Sequence, residues 1–384
     1  MLRMIRRILS VALVSLTLTG CATLGYYVQA ISGEISILAN RRDITDVIAD
    51  PDTPPATKAK LEFALRVRRF ASQKLHLPDN DSYRTYVKLD RRFPVWVVYA
   101  APPFSLAPVE WCYPFAGCVP YRGYFAKDDA AAFAAKLRKQ GKDIYLGGAP
   151  SYSTLGWFAD PLFSNMLRWS RVSLAGLIFH ELAHQQVYIE GAAQFNESFA
   201  DTIETVGIER WLTAHGERDK LKTYHRIQAE THAFQALVGK LRKRLRKIYA
   251  APTSAAVKRR EKAAAFKWLK QQHAALVAQY DQPIYQEWFT HPLNNASLAV
   301  VTTYNVWQPA FQQLLRCDGG RLEQFYADVK ALAALEPAAR RARLEDLANT
   351  GLTPAAYTSD HGSRTLSGSC RMSKDSTSAA RTSS

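Results

Sequence analysis

His180, Glu181 and His184 stand in the pattern H-E-x-x-H, inside the stretch Leu177-Ile-Phe-His-Glu-Leu-Ala-His184. A helix advances about 100° per residue, so positions four apart share a face and two imidazoles so placed can bind one Zn²⁺. Glu181 lies beside them, where a carboxylate can act as general base on a metal-bound water. Leu174, Ala175, Leu177, Ile178, Phe179, Leu182 and Ala183 make the segment apolar almost all round, which reads as a buried helix. Ionisable side chains are costly to bury unless they are partnered, and a metal is such a partner.

A catalytic zinc takes three protein ligands and keeps one position open, so a third donor should follow. Phe195-Asn-Glu-Ser-Phe-Ala-Asp201 supplies it: Glu197 opens an expected second helix with Asn196 as its N-cap. Asp201 falls one turn later on the same face, where it can hold the far nitrogen of His180 and set that ring's tautomer. Glu204 extends the acidic face by another turn. Glu190 is the rival third ligand, but Gly191 is expected to end the first helix there and lead the chain away. The metzincin pattern fails, because Val187 stands in place of its Gly and Glu190 in place of its third His. H-E-x-x-H followed by N-E-x-x-x-D resembles the gluzincin metallopeptidases, with a shorter spacer than their large families. That resemblance implies Zn²⁺ on His180, His184 and Glu197, with Glu181 as the catalytic base.

The elements that must position these groups begin after a leader. Arg3, Arg6 and Arg7 precede the apolar run Ile8 to Leu18, and Leu18-Thr19-Gly20-Cys21 resembles a bacterial lipobox. Residues 1–20 therefore read as a lipoprotein signal peptide with Cys21 as the lipid anchor. Ala22, rather than Asp, points by analogy to the outer membrane, facing the periplasm. Loss of the three leader arginines lowers the formal charge from +16 to +13, still basic enough to favour anionic lipid or cell-wall polymer. No nucleic-acid motif accompanies that charge, and no nucleic-acid partner is expected.

One domain is expected over 21–355, with a disordered Ser/Thr/Lys/Arg tail at 356–384. Gly25 to Asn40 reads as an apolar helical lead-in near the membrane, and a long helix is expected from Lys58 to Leu75. Phe93 to Ala100 and Lys142 to Gly147 read as strands, with a short helix over Ala130 to Gln140 between them. Tyr145 to Tyr152 is the candidate edge strand for a bound peptide. Cys112 and Cys118 are spaced to close a small loop as a disulfide in an exported protein. Leu221 to Tyr249 and Ala255 to Gln282 read as a helical hairpin. Lys240-Leu-Arg-Lys-Arg-Leu-Arg-Lys247 and Lys258-Arg-Arg260 make its tip basic, suited to a solvated face or to anionic lipid or cell-wall material. Tyr304, on the apolar helix from Asn294, and Tyr152 are candidates for steadying a developing oxyanion.

The fold class is α+β and mostly α-helical: a zincin-like core with a small β-sheet packed on the metal-binding helix. The lipobox, Trp111-Cys-Tyr-Pro-Phe-Ala-Gly-Cys118, Tyr121-Arg-Gly-Tyr-Phe125, Tyr152-Ser-Thr-Leu-Gly-Trp-Phe158 and the two metal-helix motifs together resemble the putative aminopeptidase family of bacterial lipoproteins. The resemblance implies a zinc-dependent aminopeptidase acting on peptides. The G-x-M-E-N signature of one large aminopeptidase group is absent, which leaves Asp160, Glu190 and Glu204 as candidates for the substrate's amine. The competing readings are a zinc endopeptidase on envelope or cell-wall peptides and a non-enzymatic zinc-stabilised envelope scaffold. The leader reading makes a direct prediction: mass spectrometry of protein purified from membranes should find a chain beginning at an acylated Cys21. An intact, unmodified leader would refute it.

Overall fold

The computed structural model describes residues 25–113, 117–149, 151, 159–280, 285–302 and 306–350. The leader, Cys21, Tyr152, Tyr304 and the tail from 356 lie outside these described residues. The chain opens on helix α1 (25–39), then β1 (Arg42–Asp43), α2 (Ile44–Ala49), α3 (Pro55–Leu75), β2 (Thr85–Val87) and β3 (Val95–Ala101). It continues through β4 (Trp111–Tyr113), β5 (Gly117–Val119), β6 (Tyr121–Tyr124), α4 (Lys127–Lys139), β7 (Asp143–Ala149) and β8 (Leu162–Phe163). Among the described residues only helices then follow: α5 (Arg171–Gln186), α6 (Ala193–Ala214), α7 (Arg218–Ala250), α8 (Ala255–Tyr280) and α9 (Gln286–Thr290). The last are α10 (Asn295–Thr302), α11 (Gln308–Cys317), α12 (Leu322–Ala333) and α13 (Pro337–Thr350). The described chain is mostly helical with small sheets, as an α+β reading requires.

Local chemistry explains where the two central helices start and stop. Ser170 caps α5, its Oγ accepting the Ser173 N–H at 3.0 Å. The helix ends at Gln186, where Val187 turns extended at φ −145°, and not at Gly191 as the sequence suggested. Gly191, at φ +73°, instead makes the left-handed turn just before α6. Asn196 is not the N-cap of α6 either, since that helix begins earlier, at Ala193. Its buried amide bonds both the N–H and the C=O of Ile189, at 2.9 and 2.8 Å, and so ties down the loop between the helices. Backbone groups in that tight connection need partners, and Asn196 satisfies two of them.

The main core joins α3, α5 and α6 to α11, α12 and α13. Leu61, Phe63, Ala64, Val67, Ala71 and Leu75 give α3 a buried stripe at helical spacing. Two glycines let the helices around α5 approach closely. A Cβ on Gly176 would come within 2.8 Å of Glu204 Oε1, and one on Gly207 within 2.5 Å of the Phe179 ring.

The strands form three small sheets, ordered β1-β2-β8, β6-β3-β7 and β4-β5. Tyr86, Val87, Leu162 and Phe163 of the first share the hydrophobic core of α5. In the second, β3 pairs antiparallel with both neighbours, Val97 opposite Gly123 and Gly147. Alternation then divides its side chains between two faces. Val98, Ala100, Tyr124 and Ile144 pack with Ala130, Ala134 and Leu137 of α4. Val95, Val97 and Tyr99 turn the other way, onto a cavity that α5 also lines. This sheet therefore faces the metal-motif helix across open space, while the β1-β2-β8 sheet shares its core. β4 and β5 form a hairpin closed by the Cys112–Cys118 disulfide.

α7 and α8 pair as a hairpin over a separate core of Phe234, Val238, Leu241, Leu245, Phe266 and Leu269. Lys262 of α8 pairs with Asp143 at the start of β7, and the same carboxylate takes the Asn295 N–H at 2.9 Å. That junction fixes the hairpin and α10 to the sheet.

The two glycine environments predict opposite outcomes in urea unfolding. Gly207→Val drives a side chain into Phe179 and Leu75 and should lower stability by about 1–3 kcal/mol. Gly239→Ala, in a part of α7 with nothing near the added Cβ, should raise it by roughly 0.5–1 kcal/mol.

Candidate metal centre

The helical spacing of α5 and its crossing with α6 bring three donors to one point. His180 Nε2 lies 3.2 Å from His184 Nε2, with the two rings nearly perpendicular at 83°. Glu197 reaches both from α6, its Oε2 at 3.5 Å from His180 Nε2 and its Oε1 at 3.7 Å from His184 Nε2. Donors bound at about 2.0–2.1 Å to a tetrahedral zinc stand roughly 3.4 Å apart, so this donor set fits such an ion. All three side chains line the cavity described below. Glu190, the rival ligand, is exposed, and its carboxylate points at Gly117 of the β4-β5 hairpin.

His180 is held from behind. Its Nδ1 faces Asp201 Oδ1 at 3.2 Å and Glu204 Oε2 at 3.3 Å, which keeps a proton on that nitrogen and leaves Nε2 free to ligate. The same three side chains form a second cluster with metal-ligand spacing, but Nδ1 cannot both hold this proton and bind an ion. The buried Nδ1 of His184 has no hydrogen-bond partner among the described residues.

The titration of the cluster follows from burial and crowding. For His180, burial opposes the charged form, but bonds to Asp201, Glu197 and Glu204 overcome it and hold its pKa well above the ordinary value. His184 goes the other way, down to about 4, through burial and then the neighbouring charge of His180. Glu197 stays low despite burial, because His180 and His184 stabilise its charge. Glu181 is buried, which pushes its carboxyl up to about 7. His180 pulls against that rise, while Glu197 and Asp160 reinforce it. The Ser151 hydroxyl donates to Glu181 Oε1 at 3.3 Å.

The cavity around these groups measures about 1870 Å³. One wall is the sheet face bearing Val97, Tyr99 and Tyr121, and another is α7 from Thr223 to Gln235. β7 runs along a sheet edge, and the chain beyond it delivers Ser151 to Glu181. Of the three carboxylates offered for a substrate amine, Glu204 lines the cavity, whereas Asp160 and Glu190 do not. Both tyrosines named from the sequence for the oxyanion, Tyr152 and Tyr304, lie outside the described residues.

Sequence reasoning missed Ser151, Tyr121 and Tyr188. Tyr188 lies one turn past His184, with the rings 6.4 Å apart. Tyr121 opens β6, and its hydroxyl is raised to about 12 by burial and then by Glu197, Tyr188 and Glu181. The spacing of Tyr121 and Gly123, both on the sheet face opposite α4, was the available signal for it.

A family model described as "Putative aminopeptidase" matches residues 25–344. The chain belongs to this family. The match to the aminopeptidase family takes in α1, the cavity-facing sheet and every donor of the candidate centre. No curated protein and no solved structure gives a match.

The raised pKa of His180 has a measurable consequence. Below that pKa an incoming ion must displace a proton, so affinity should rise about tenfold per pH unit and then level off. His184, already neutral above about 4, should add no slope in that range. Competition titrations of zinc against a chelator between about pH 5.5 and 7.5 measure this, and a flat profile would contradict the assignment of His180 as a ligand.

Proposed function

We propose that this chain is a zinc-dependent aminopeptidase of the bacterial envelope, anchored by lipid at Cys21 and facing the periplasm from the outer membrane. The observation that carries the reading is the convergence of His180 Nε2, His184 Nε2 and a Glu197 oxygen beside the buried carboxyl of Glu181. The donor types and their order along the chain resemble those of gluzincin peptidases, and the family description supports peptide hydrolysis from the amino terminus.

His180, His184 and Glu197 would hold the ion. Zinc bound there supplies a Lewis acid and lowers the pKa of water towards neutrality. Glu181 takes a proton from the attacking water and returns it to the leaving amine. A carboxyl near pH 7 is matched to both transfers. Asp201 and Glu204 keep the His180 proton on Nδ1 and so aim Nε2 into the cavity. Tyr121, within electrostatic reach of Glu181 and Glu197, offers its hydroxyl to the charge developing on the scissile carbonyl. The edge of β7 near Gly147 offers backbone groups to an extended peptide, and Glu204 is the carboxylate best placed for its free amine.

A second reading is favoured by the size of the cavity. About 1870 Å³ is more than one terminal residue needs, which suits an endopeptidase accepting substrate on both sides of the cut bond. The exposed Lys243, Arg244, Arg246, Lys247, Arg259 and Arg260 at the α7–α8 tip fit anionic lipid or cell-wall polymer.

Zinc-loaded protein incubated with a mixed peptide library separates these readings by mass spectrometry of the products. One-residue ladders from the amino terminus are expected, whereas internal cuts would replace the aminopeptidase reading with the endopeptidase. Glu181→Gln should lower turnover by about 10²–10⁴-fold while zinc stays stoichiometric. Unchanged turnover in that variant would remove Glu181 from the mechanism.

A further inference from the structure

The two faces of α1 differ in kind. Its inner face carries Tyr26, Ala30 and Glu34, which line the cavity. Gln29 clamps this face to the sheet, accepting the Phe125 N–H at 3.1 Å and donating to Gly123 O at 3.5 Å. Gly33 leaves room there for the Phe125 ring, since a Cβ would lie 2.1 Å from it. The outer face carries Val28, Ile31 and Ile35, exposed at 58, 59 and 59%.

These three residues fall at i, i+3 and i+7 and form one stripe. Ser32, Ser36 and Ala39 complete that exposed side. The single charged residue between 25 and 40 is Glu34, on the cavity side. A helix turned towards water ordinarily carries charge on its outer face, as α13 does with its Arg341–Glu345 pair. Among the described residues, six large hydrophobics stand exposed, and Val28, Ile31 and Ile35 are half of them. Tyr121 and Tyr188, two of the others, belong to the cavity, so the apolar exposure that remains is concentrated on α1.

What lies upstream identifies the occupant of this face. Cys21 precedes Gly25 by four positions, and a chain advances at most about 3.6 Å per residue, so α1 begins within roughly 14 Å of Cys21. An acyl anchor at Cys21 therefore brings the start of α1 to the headgroup level. Fifteen helical residues extend only about 22 Å, too short to cross a bilayer. No helix among the described residues is long and apolar enough to do so. A helix held at that depth, with one apolar stripe outward and its single charge turned to the cavity, lies along the interface.

We propose that α1 rests in the interface of a lipid bilayer, with Val28, Ile31 and Ile35 among the acyl chains, so that the cavity wall of Tyr26, Ala30 and Glu34 stands beside the membrane. The proposal rests on the anchor read at Cys21, and the two are tested apart. The full chain, purified from membranes, is reconstituted into vesicles of phosphatidylethanolamine and phosphatidylglycerol containing a lipid with a photoactivatable diazirine on its acyl chain. After illumination, adducts are located by peptide mass spectrometry, which also reads the state of Cys21. The expected result is labelling of residues 25–39 about tenfold above that of α13, lost in V28S/I31S/I35S. Those substitutions lie on the exposed face, and an unchanged circular dichroism spectrum would establish that the variant remains folded. Adducts confined to the Cys21 peptide overturn the proposal and leave the anchor intact. Equal labelling of α1 and α13 also overturns it. Labelled α1 with an unmodified Cys21 sustains the helix contact and removes the anchor.

Discussion

Five ionisable side chains, His180, Glu181, His184, Glu197 and Asp201, are packed where α5 crosses α6, and the rest of the structure answers to that constraint. Burial disfavours every charged form there, so the groups can coexist only by sharing protons or an ion. A protonated His180 ring plays that part, its Nδ1–H facing Asp201 and Glu204 and its Nε2–H facing Glu197. A divalent cation would replace the Nε2 proton without disturbing the bonds at Nδ1. The close approach that makes this geometry possible depends on Gly176, against which the Glu204 carboxylate rests.

Around this cluster the fold divides the labour between two cores. The donors belong to the large helical core, where α3 and α6 pack on α5 and α11 packs on α6. The opposing wall is a three-stranded sheet with its own core against α4. The space between them persists because each side is packed on its far face, and neither has to collapse onto the other to bury apolar surface. The Asp143 junction with Lys262 and Asn295 adds the α7–α8 hairpin as a third support. Such a cavity can present a peptide to fixed catalytic groups without rearranging them.

Local rules read the donors well and the connections poorly. His180 and His184 are related by helical periodicity alone, and Glu197 and Asp201 by the same periodicity one helix later. Asn196 shows where that reasoning fails. An Asn just ahead of an acidic residue has the composition of an N-cap, yet its amide is used to bind Ile189, because the short connection brings the Ile189 N–H and C=O within its reach. Gly191 was assigned to the end of a helix that stops at Gln186, since a left-handed glycine serves equally in the turn that follows. Neither Ser151 nor Tyr121 was given a role at the metal from the sequence. Ser151 bonds Glu181 and Tyr121 lines the same cavity because β7 and β6 flank β3, a pairing between segments far apart in sequence.

Residue types and their spacing alone set which chemistry is available: two imidazoles and three carboxylates on adjacent helices, in an α+β chain with a helical second half. These are local properties, set by residue type and by spacing within one or two turns. Tertiary structure decided which carboxylate meets the imidazoles and which, like Glu190, turns away. It also decided that a sheet faces the donors across open space, and that α1 has one side in the cavity and an apolar side outside. Those outcomes depend on how elements pack over long separations, where burial and backbone hydrogen bonding are satisfied jointly and no short pattern records the result.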